Sequence, residues 1–187
     1  MSFARRPRKD PKPVTPELLE KAALYYIERY ASTAENLRRV LMRRVERWAY
    51  KLGGDRASGT SWVEALVQRY VRSGLVDDKR YAEAAAESLR RRGASSRRIR
   101  QKLAQKGVDE DVAEAALAES GGAGDAADLS AAVRLARKRR LGPFGDPKLR
   151  RDRRLKDMAR LARAGFSYAI ARKVVDAADA GELEEGA

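Results

Sequence analysis

The feature that most constrains this fold is a short signal that occurs twice: a glycine that can end a helix, an apolar residue, and a residue that can cap the next helix. It stands at residues 107–109 (Gly-Val-Asp) and again at 165–167 (Gly-Phe-Ser), each time after an Arg/Lys-rich segment. Elsewhere apolar residues recur at helical spacing, and no stretch alternates with period two for long enough to suggest a strand. The sequence therefore predicts an all-α protein built from three three-helix units.

A three-helix unit of this size can bury only a thin core. We therefore expect the units to pack end to end as an elongated tandem array of helix-turn-helix-like repeats. The alternative is one compact helical bundle in which the similarity of the caps is accidental. The predicted organisation is a flexible basic arm (1–14), repeat 1 (15–76, with an insertion near 49–60), repeat 2 (77–120), a Gly-rich linker (121–125), repeat 3 (126–179) and an acidic tail (180–187).

Helix starts are predicted from residues that can cap an N-terminus. Thr15 before Pro16 starts the first helix, and Ser32 with Glu35 forms a capping box for the second. A third start is placed after the turn-rich residues 53–59, at the capping box of Ser61 and Glu64. The later caps are Ser95 or Ser96, Asp109 and Ser167, and the inward residues of the eighth helix are Leu155, Met158 and Ala162.

The residue types present exclude most catalytic machinery. The chain contains neither Cys nor His, which removes thiol nucleophiles, imidazole bases and zinc sites of the Cys/His kind. Asp77 and Asp78 stand where a helix needs a cap, and the Gly-rich residues 121–124 have neither a preceding strand nor a following Lys-Ser/Thr pair. We therefore expect a protein that is not an enzyme and needs no cofactor or metal.

No apolar run approaches the ~20 residues that cross a bilayer, and the start of the chain lacks an apolar signal core. The expected location is the cytoplasm, with no membrane partner.

Positive charge is concentrated rather than spread evenly. The formal net charge is +14. Residues 79–106 contain ten basic and two acidic residues, and residues 134–163 contain thirteen basic and three acidic ones. This distribution is the electrostatic footprint of a protein that binds a polyanion.

The candidate binding residues are the cations of these two segments. Arginine near a helix C-terminus also has a simpler explanation, because it offsets the negative end of the helix dipole. For the whole set we expect contact with phosphates or acidic side chains. The candidates are Arg91, Arg92, Arg97, Arg98, Arg100, Lys102 and Lys106 in repeat 2, and Arg139, Arg140, Arg150, Arg151 and Arg154 in repeat 3.

Three stretches of the chain resemble the RecX family of bacterial recombinase regulators. They are GLVDDKRYA (74–82), the run from Arg91-Arg92-Gly93 through RRIRQKL (97–103) to KGVD (106–109), and RAGFSY (163–168). The resemblance extends from about residue 16 to about residue 178.

We expect a monomer. The resemblance implies a protein of tandem three-helix repeats that binds RecA filaments along their helical groove and restrains them. RecA ATPase, strand exchange and coprotease activity in recombination, DNA repair and the SOS response would then fall, without catalysis by the regulator. The resemblance also implies binding to single- and double-stranded DNA through the basic surface.

Two other functions stay open. One is a stand-alone DNA-binding protein with helix-turn-helix-like units, which would shift DNA without RecA. The other, a basic protein associated with RNA or the ribosome, rests only on charge.

Overall fold

Ten α-helices and two short 3₁₀ turns form the regular structure of the computed structural model, which describes residues 13–122 and 124–185. No strand forms within those ranges, so the all-α prediction is confirmed. The helices are α1 (Pro16–Ile27), α2 (Ala34–Leu52), α3 (Arg56–Arg72), α4 (Asp78–Arg91), α5 (Ser96–Gln105), α6 (Glu110–Glu119), α7 (Asp125–Arg139), α8 (Arg150–Arg163), α9 (Tyr168–Asp176) and α10 (Ala180–Glu185), with 3₁₀ turns at Gly142–Phe144 and Pro147–Leu149.

The chain divides into two compact units, Met1–Asp77 and Asp78–Ala187. The first unit contains repeat 1 (α1–α3), and the second contains repeat 2 (α4–α6) and repeat 3 (α7–α9). Each repeat has its own cluster of buried apolar side chains. These include Leu37, Leu41 and Val63 in repeat 1, Ile99, Leu103 and Leu117 in repeat 2, and Leu141, Leu161 and Val174 in repeat 3.

Two predicted helix starts in repeat 1 are wrong. Thr33, which is fully buried, caps α2 by accepting from the amide of Asn36, so the cap lies one residue beyond Ser32. Asp55 caps α3, which therefore begins five residues before Ser61. Thr15 caps α1 as predicted, by accepting from Leu18 N.

The early start of α3 also changes the interpretation of the predicted insertion near 49–60. Residues 53–55 connect α2 to α3, and the rest of this stretch belongs to the two helices. Gly59 lies inside α3, where an added Cβ would stand 2.5 Å from Cγ1 of Val45 on α2. This glycine permits close helix packing and does not form a turn, a distinction that sequence alone does not make.

Both ends of the chain bear on the predicted domain boundaries. Residues 1–12 of the predicted basic arm lie outside the described part of the chain, whereas Val14 packs into the core of repeat 1. In the predicted acidic tail, α10 forms over Ala180–Glu185 and Leu183 is buried in the core of repeat 3. The buried Leu183 therefore anchors this segment to repeat 3, and the negative charge of the segment did not indicate that anchoring.

Candidate functional site

Helix α5 presents cations because its apolar residues face inward. Ser95 caps the helix by accepting from Arg98 N over 3.2 Å, and Ile99 and Leu103 are buried. Arg97, Arg98 and Lys102 are exposed as a consequence. These three residues are defined here as the α5 cations.

Arg100, on the other flank of α5, is directed toward α6. Its Nη2 donates to Oε2 of Glu114 over 2.9 Å, and Nε donates to the other carboxylate oxygen. The hydrogen bond from Arg100 holds the pKa of the Glu114 carboxyl below its usual range, and the same bond raises the pKa of Arg100. This predicted binding residue therefore stabilises the packing of α5 on α6.

The other cations of repeat 2 differ in their exposure and in their hydrogen-bond partners. Arg91 is exposed and pairs with Glu87, while Arg92 Nε donates to the carbonyl of Ser88 over 3.1 Å. Lys106, at the end of α5, is half-buried. Arg90, which was not a candidate, is only 4% exposed.

Arg90 holds repeat 2 against repeat 3. Its guanidinium donates to Asp128 Oδ1 over 2.8 Å, to Ser96 Oγ over 2.8 Å and to the carbonyls of Ala94 and Gly122. The same Asp128 oxygen accepts from the amide and the hydroxyl of Ser96, each over 2.7 Å. One buried network thus connects α4, the start of α5, the linker and α7.

A second contact joins the two repeats at the start of α5. Ser95 Oγ donates to the carbonyl of Ala164, in the turn between α8 and α9, over 2.8 Å. The next residue of that turn, Gly165, has a φ of +94° and approaches so closely that an added Cβ would lie 2.5 Å from Ser95 Oγ and 3.7 Å from Arg97 Cβ. The α5 cations therefore begin directly beside repeat 3.

Helix α8 is rotated relative to the prediction. Leu155 is 76% exposed and Ala162 is exposed, whereas Asp157, Met158 and Leu161 face the core. The prediction for Met158 is confirmed, and those for Leu155 and Ala162 are wrong. A buried aspartate explains the error, because an acidic residue is normally assigned to the solvent face.

This rotation places Arg150 and Arg154 on the same stripe as Asp157 and Leu161. Arg150 donates to the carbonyl of Val175, in the last turn of α9, and to the carbonyls of Ala177 and Ala178 beyond it, the last over 2.8 Å. Arg154 makes two hydrogen bonds to Asp176, each of 2.7 Å. These two predicted binding residues hold the end of α9, while Arg151 is exposed.

The third repeat also brings together cations that are distant in sequence. Arg139 and Arg140, at the end of α7, line a concavity of about 430 Å³ together with Arg153, Lys156 and Arg160 of α8. Sequence reasoning selected the first two of these residues and missed the three on α8. Their spacing of three and four residues places them on one helix face, and this was the signal that could have found them.

Comparison with known proteins identifies the family. The family model described as the second three-helix domain of RecX matches residues 77–117. The chain is 48% identical over 169 residues to a protein of Myxococcus xanthus named "Regulatory protein RecX", a match that covers 90% of this chain and 89% of that protein. The chain belongs to the RecX family.

Other relatives agree with this membership. A protein with the same name from Agrobacterium fabrum is 33% identical over 154 residues, which cover 82% of this RecX family chain and 79% of the relative. The crystal structure of RecX from Lactobacillus salivarius has the same fold, with a TM-score of 0.59 at 20% identity over 91% of this chain and 97% of that one. These matches confirm the tandem three-helix architecture.

Two further properties concern this RecX family chain's chemistry and surroundings. Within the described ranges, no group of three or more acidic residues could hold a metal ion. None of the described helices is long and apolar enough to span a membrane.

Proposed function

We propose that this RecX family member is a non-catalytic, cytoplasmic regulator that binds RecA nucleoprotein filaments along their groove. As a monomer it restrains the filament and lowers RecA ATPase, strand exchange and coprotease activity. Its family relatives are named regulatory proteins, which supports a regulatory role.

The observation that carries the proposal is the position of the α5 cations. Arg97, Arg98 and Lys102 are exposed, and the contact between Ser95 and Ala164 fixes the start of their helix against repeat 3. Cations on a rigid body can contact phosphates or acidic side chains with little loss of conformational freedom on binding. A rigid pair of repeats that contacts neighbouring filament subunits or their DNA would oppose the motions that accompany ATP hydrolysis and strand exchange.

Arg100, Arg150 and Arg154 contribute less to this surface, because each holds a different element of the fold: Arg100 bonds to Glu114 on α6, and the other two bond to the end of α9 and the residues after it. A binding partner would have to replace those bonds. Arg91, Arg92, Lys106, Arg139, Arg140 and Arg151 remain in the proposed RecA- and DNA-binding set.

The test is inhibition of RecA ATPase on single-stranded DNA by the variant R97E/R98E/K102E. We expect the inhibition to be abolished while the far-UV circular dichroism stays helical. The matched control is R43E/R44E/R47E, which reverses three exposed cations of α2 in the other unit. Undiminished inhibition by the first variant, or equal loss in both, contradicts a specific role of the α5 cations.

A gel-shift assay without RecA separates this proposal from a stand-alone DNA-binding protein. We expect RecA to be needed for the effect at low protein concentration. A defined footprint on duplex DNA at moderate salt, with RecA absent, would favour the alternative.

A further inference from the structure

The concavity in repeat 3 contains only cationic side chains. Arg139, Arg140, Arg153, Lys156 and Arg160 line it, and no carboxylate is among the lining residues. Apart from the bond between Arg160 and Asp157, none of the five forms an ion pair with a described acidic residue. Several like charges held close together are unfavourable unless an anion lies between them.

Buried contacts hold one wall of this concavity in place. Asp157 is only 3% exposed; its Oδ1 accepts from Arg160 Nη1 over 3.1 Å, and its Oδ2 accepts from the amide of Gly142 over 3.1 Å. One buried carboxylate therefore fixes both the guanidinium of Arg160 and the 3₁₀ turn that follows α7. Such a supporting contact is typical of a preorganised binding site.

Arg140 forms the other wall in a strained conformation. Its φ is +53°, which makes it the only residue other than glycine with a positive φ in the described ranges. The chain is held there because Leu141 N bonds to the carbonyl of Ala136 over 2.9 Å, and because Gly145 approaches the carbonyl of Arg140 so closely that an added Cβ would lie 2.8 Å from it. Glycine is the residue that usually occupies this helix-end position, since it adopts the conformation without strain.

The helix dipole does not explain the whole cluster. Arg139 lies in the last turn of α7 and Arg140 is the residue after it, and cations are favourable at this end of a helix. Arg153, however, lies in the first turn of α8, where the dipole disfavours positive charge. Neither the backbone strain at the exposed Arg140 nor the position of Arg153 stabilises the helices, and both support a binding role for this cluster.

We infer that this concavity binds an oligophosphate, meaning two or more phosphates joined by bridging oxygens, as in pyrophosphate or the phosphate chain of a nucleotide. Successive phosphates of a nucleic-acid strand are separated by a sugar, whereas those of an oligophosphate share an oxygen. Of these two ligands, the oligophosphate concentrates more negative charge within a space of this size. Guanidinium groups suit it because each can donate two parallel hydrogen bonds to phosphate oxygens.

This inference deepens the proposed function, because Arg139 and Arg140 belong to the surface proposed to bind the filament. An oligophosphate in the concavity would neutralise part of that surface. Its binding is nevertheless tested without RecA, so the two proposals can fail separately.

The experiment is calorimetric titration of the full chain with pyrophosphate, at low salt and without divalent metal. We expect pyrophosphate to bind more tightly than orthophosphate, and R153Q/K156Q to weaken the binding by about tenfold per removed cation. The matched control R172Q/K173Q removes one Arg and one Lys from the exposed face of α9 and should bind as the parent does. The inference is wrong if the parent does not bind pyrophosphate, if R153Q/K156Q binds normally, or if the control loses as much.

The variant R140G separates a binding role from a purely structural one. Glycine relieves the strained φ, so we expect a higher melting temperature together with weaker pyrophosphate binding. A higher melting temperature with unchanged affinity would overturn the inference that this arginine serves the ligand.

A short oligothymidylate strand, titrated in parallel, distinguishes the two sources of phosphate. We expect R153Q/K156Q to lose more affinity for pyrophosphate than for the strand. Loss of strand binding with pyrophosphate binding intact would assign the concavity to nucleic acid and overturn the oligophosphate inference. Loss of pyrophosphate binding with RecA inhibition intact would leave the proposed function standing.

Discussion

The guanidinium of Arg90 donates a 2.8 Å hydrogen bond to the carboxylate of Asp128, a residue 38 positions further along the chain. The two side chains are 5% and 14% exposed, so the bond is shielded from water. It joins the last turn of α4 to the first turn of α7 and thereby holds repeat 2 against repeat 3. The relative position of the cations on α5 and α8 depends on it.

Removal of Arg90 should strongly destabilise the second unit. We expect R90M to lower the free energy of unfolding by about 3–5 kcal/mol, because it leaves the buried Asp128 carboxylate without its charged partner. R91M, which breaks only an exposed pair with Glu87, should cost less than about 1 kcal/mol. Urea unfolding followed by circular dichroism measures both, and similar losses would show that the buried network is not what joins the repeats.

A methyl group at Gly165 should disturb the contact with α5. In G165A the new Cβ would stand 2.5 Å from Ser95 Oγ, which already caps α5 and bonds to Ala164. G121A is the control, since it has a similarly positive φ and open space around it. We expect a lower melting temperature for G165A than for G121A, and equal values would argue against close packing at this turn.

The rotation of α8 predicts opposite responses at two leucines. L155Q should change the free energy of unfolding by no more than about 0.5 kcal/mol, because the side chain already lies in solvent. L161A removes a fully buried side chain and should cost about 2–5 kcal/mol. If L155Q proves the more damaging change in chemical denaturation, the sequence-based orientation of the helix was correct after all.

Acid should weaken the contact between α5 and α6. The hydrogen bond from Arg100 lowers the pKa of Glu114 below its ordinary value of 4.5, so its stabilisation is complete above that value and is lost as pH falls through the lower folded-state pKa. We expect the stability difference between the parent and E114Q to shrink as the pH falls through this window.

The control for this pH series is E119Q, which alters an exposed glutamate with no ion pair among the described residues. Its difference from the parent should show no comparable change. Urea unfolding at successive pH values provides the measurement, and a difference for E114Q that grows on acidification would contradict the assigned sign.

Salt dependence should report how many α5 cations contact phosphates. Each phosphate contact on duplex DNA contributes about 0.9 to the slope of log affinity against log salt concentration. We therefore expect R97Q/R98Q/K102Q to flatten the slope by about 2–3 if all three residues bind phosphates. Fluorescence anisotropy with labelled DNA at several salt concentrations measures it, and an unchanged slope would place the DNA contacts elsewhere.

The sequence alone determined the class of fold and most of the helix starts. Local rules decide these properties: Thr15, Ser95, Asp109 and Ser167 cap helices because a short polar side chain can accept from a nearby free amide. The tandem units were also predictable, because glycine, apolar residue and cap occur in the same order at 107–109 and 165–167.

Tertiary structure decided which cations remain available for a partner. Arg90, Arg100, Arg150 and Arg154 look like their neighbours in the sequence, yet each bonds to a group that is distant along the chain or on another helix. Helical periodicity gives the spacing of side chains around one helix. The rotation of that helix depends on its neighbours, as the buried Asp157 and the exposed Leu155 demonstrate.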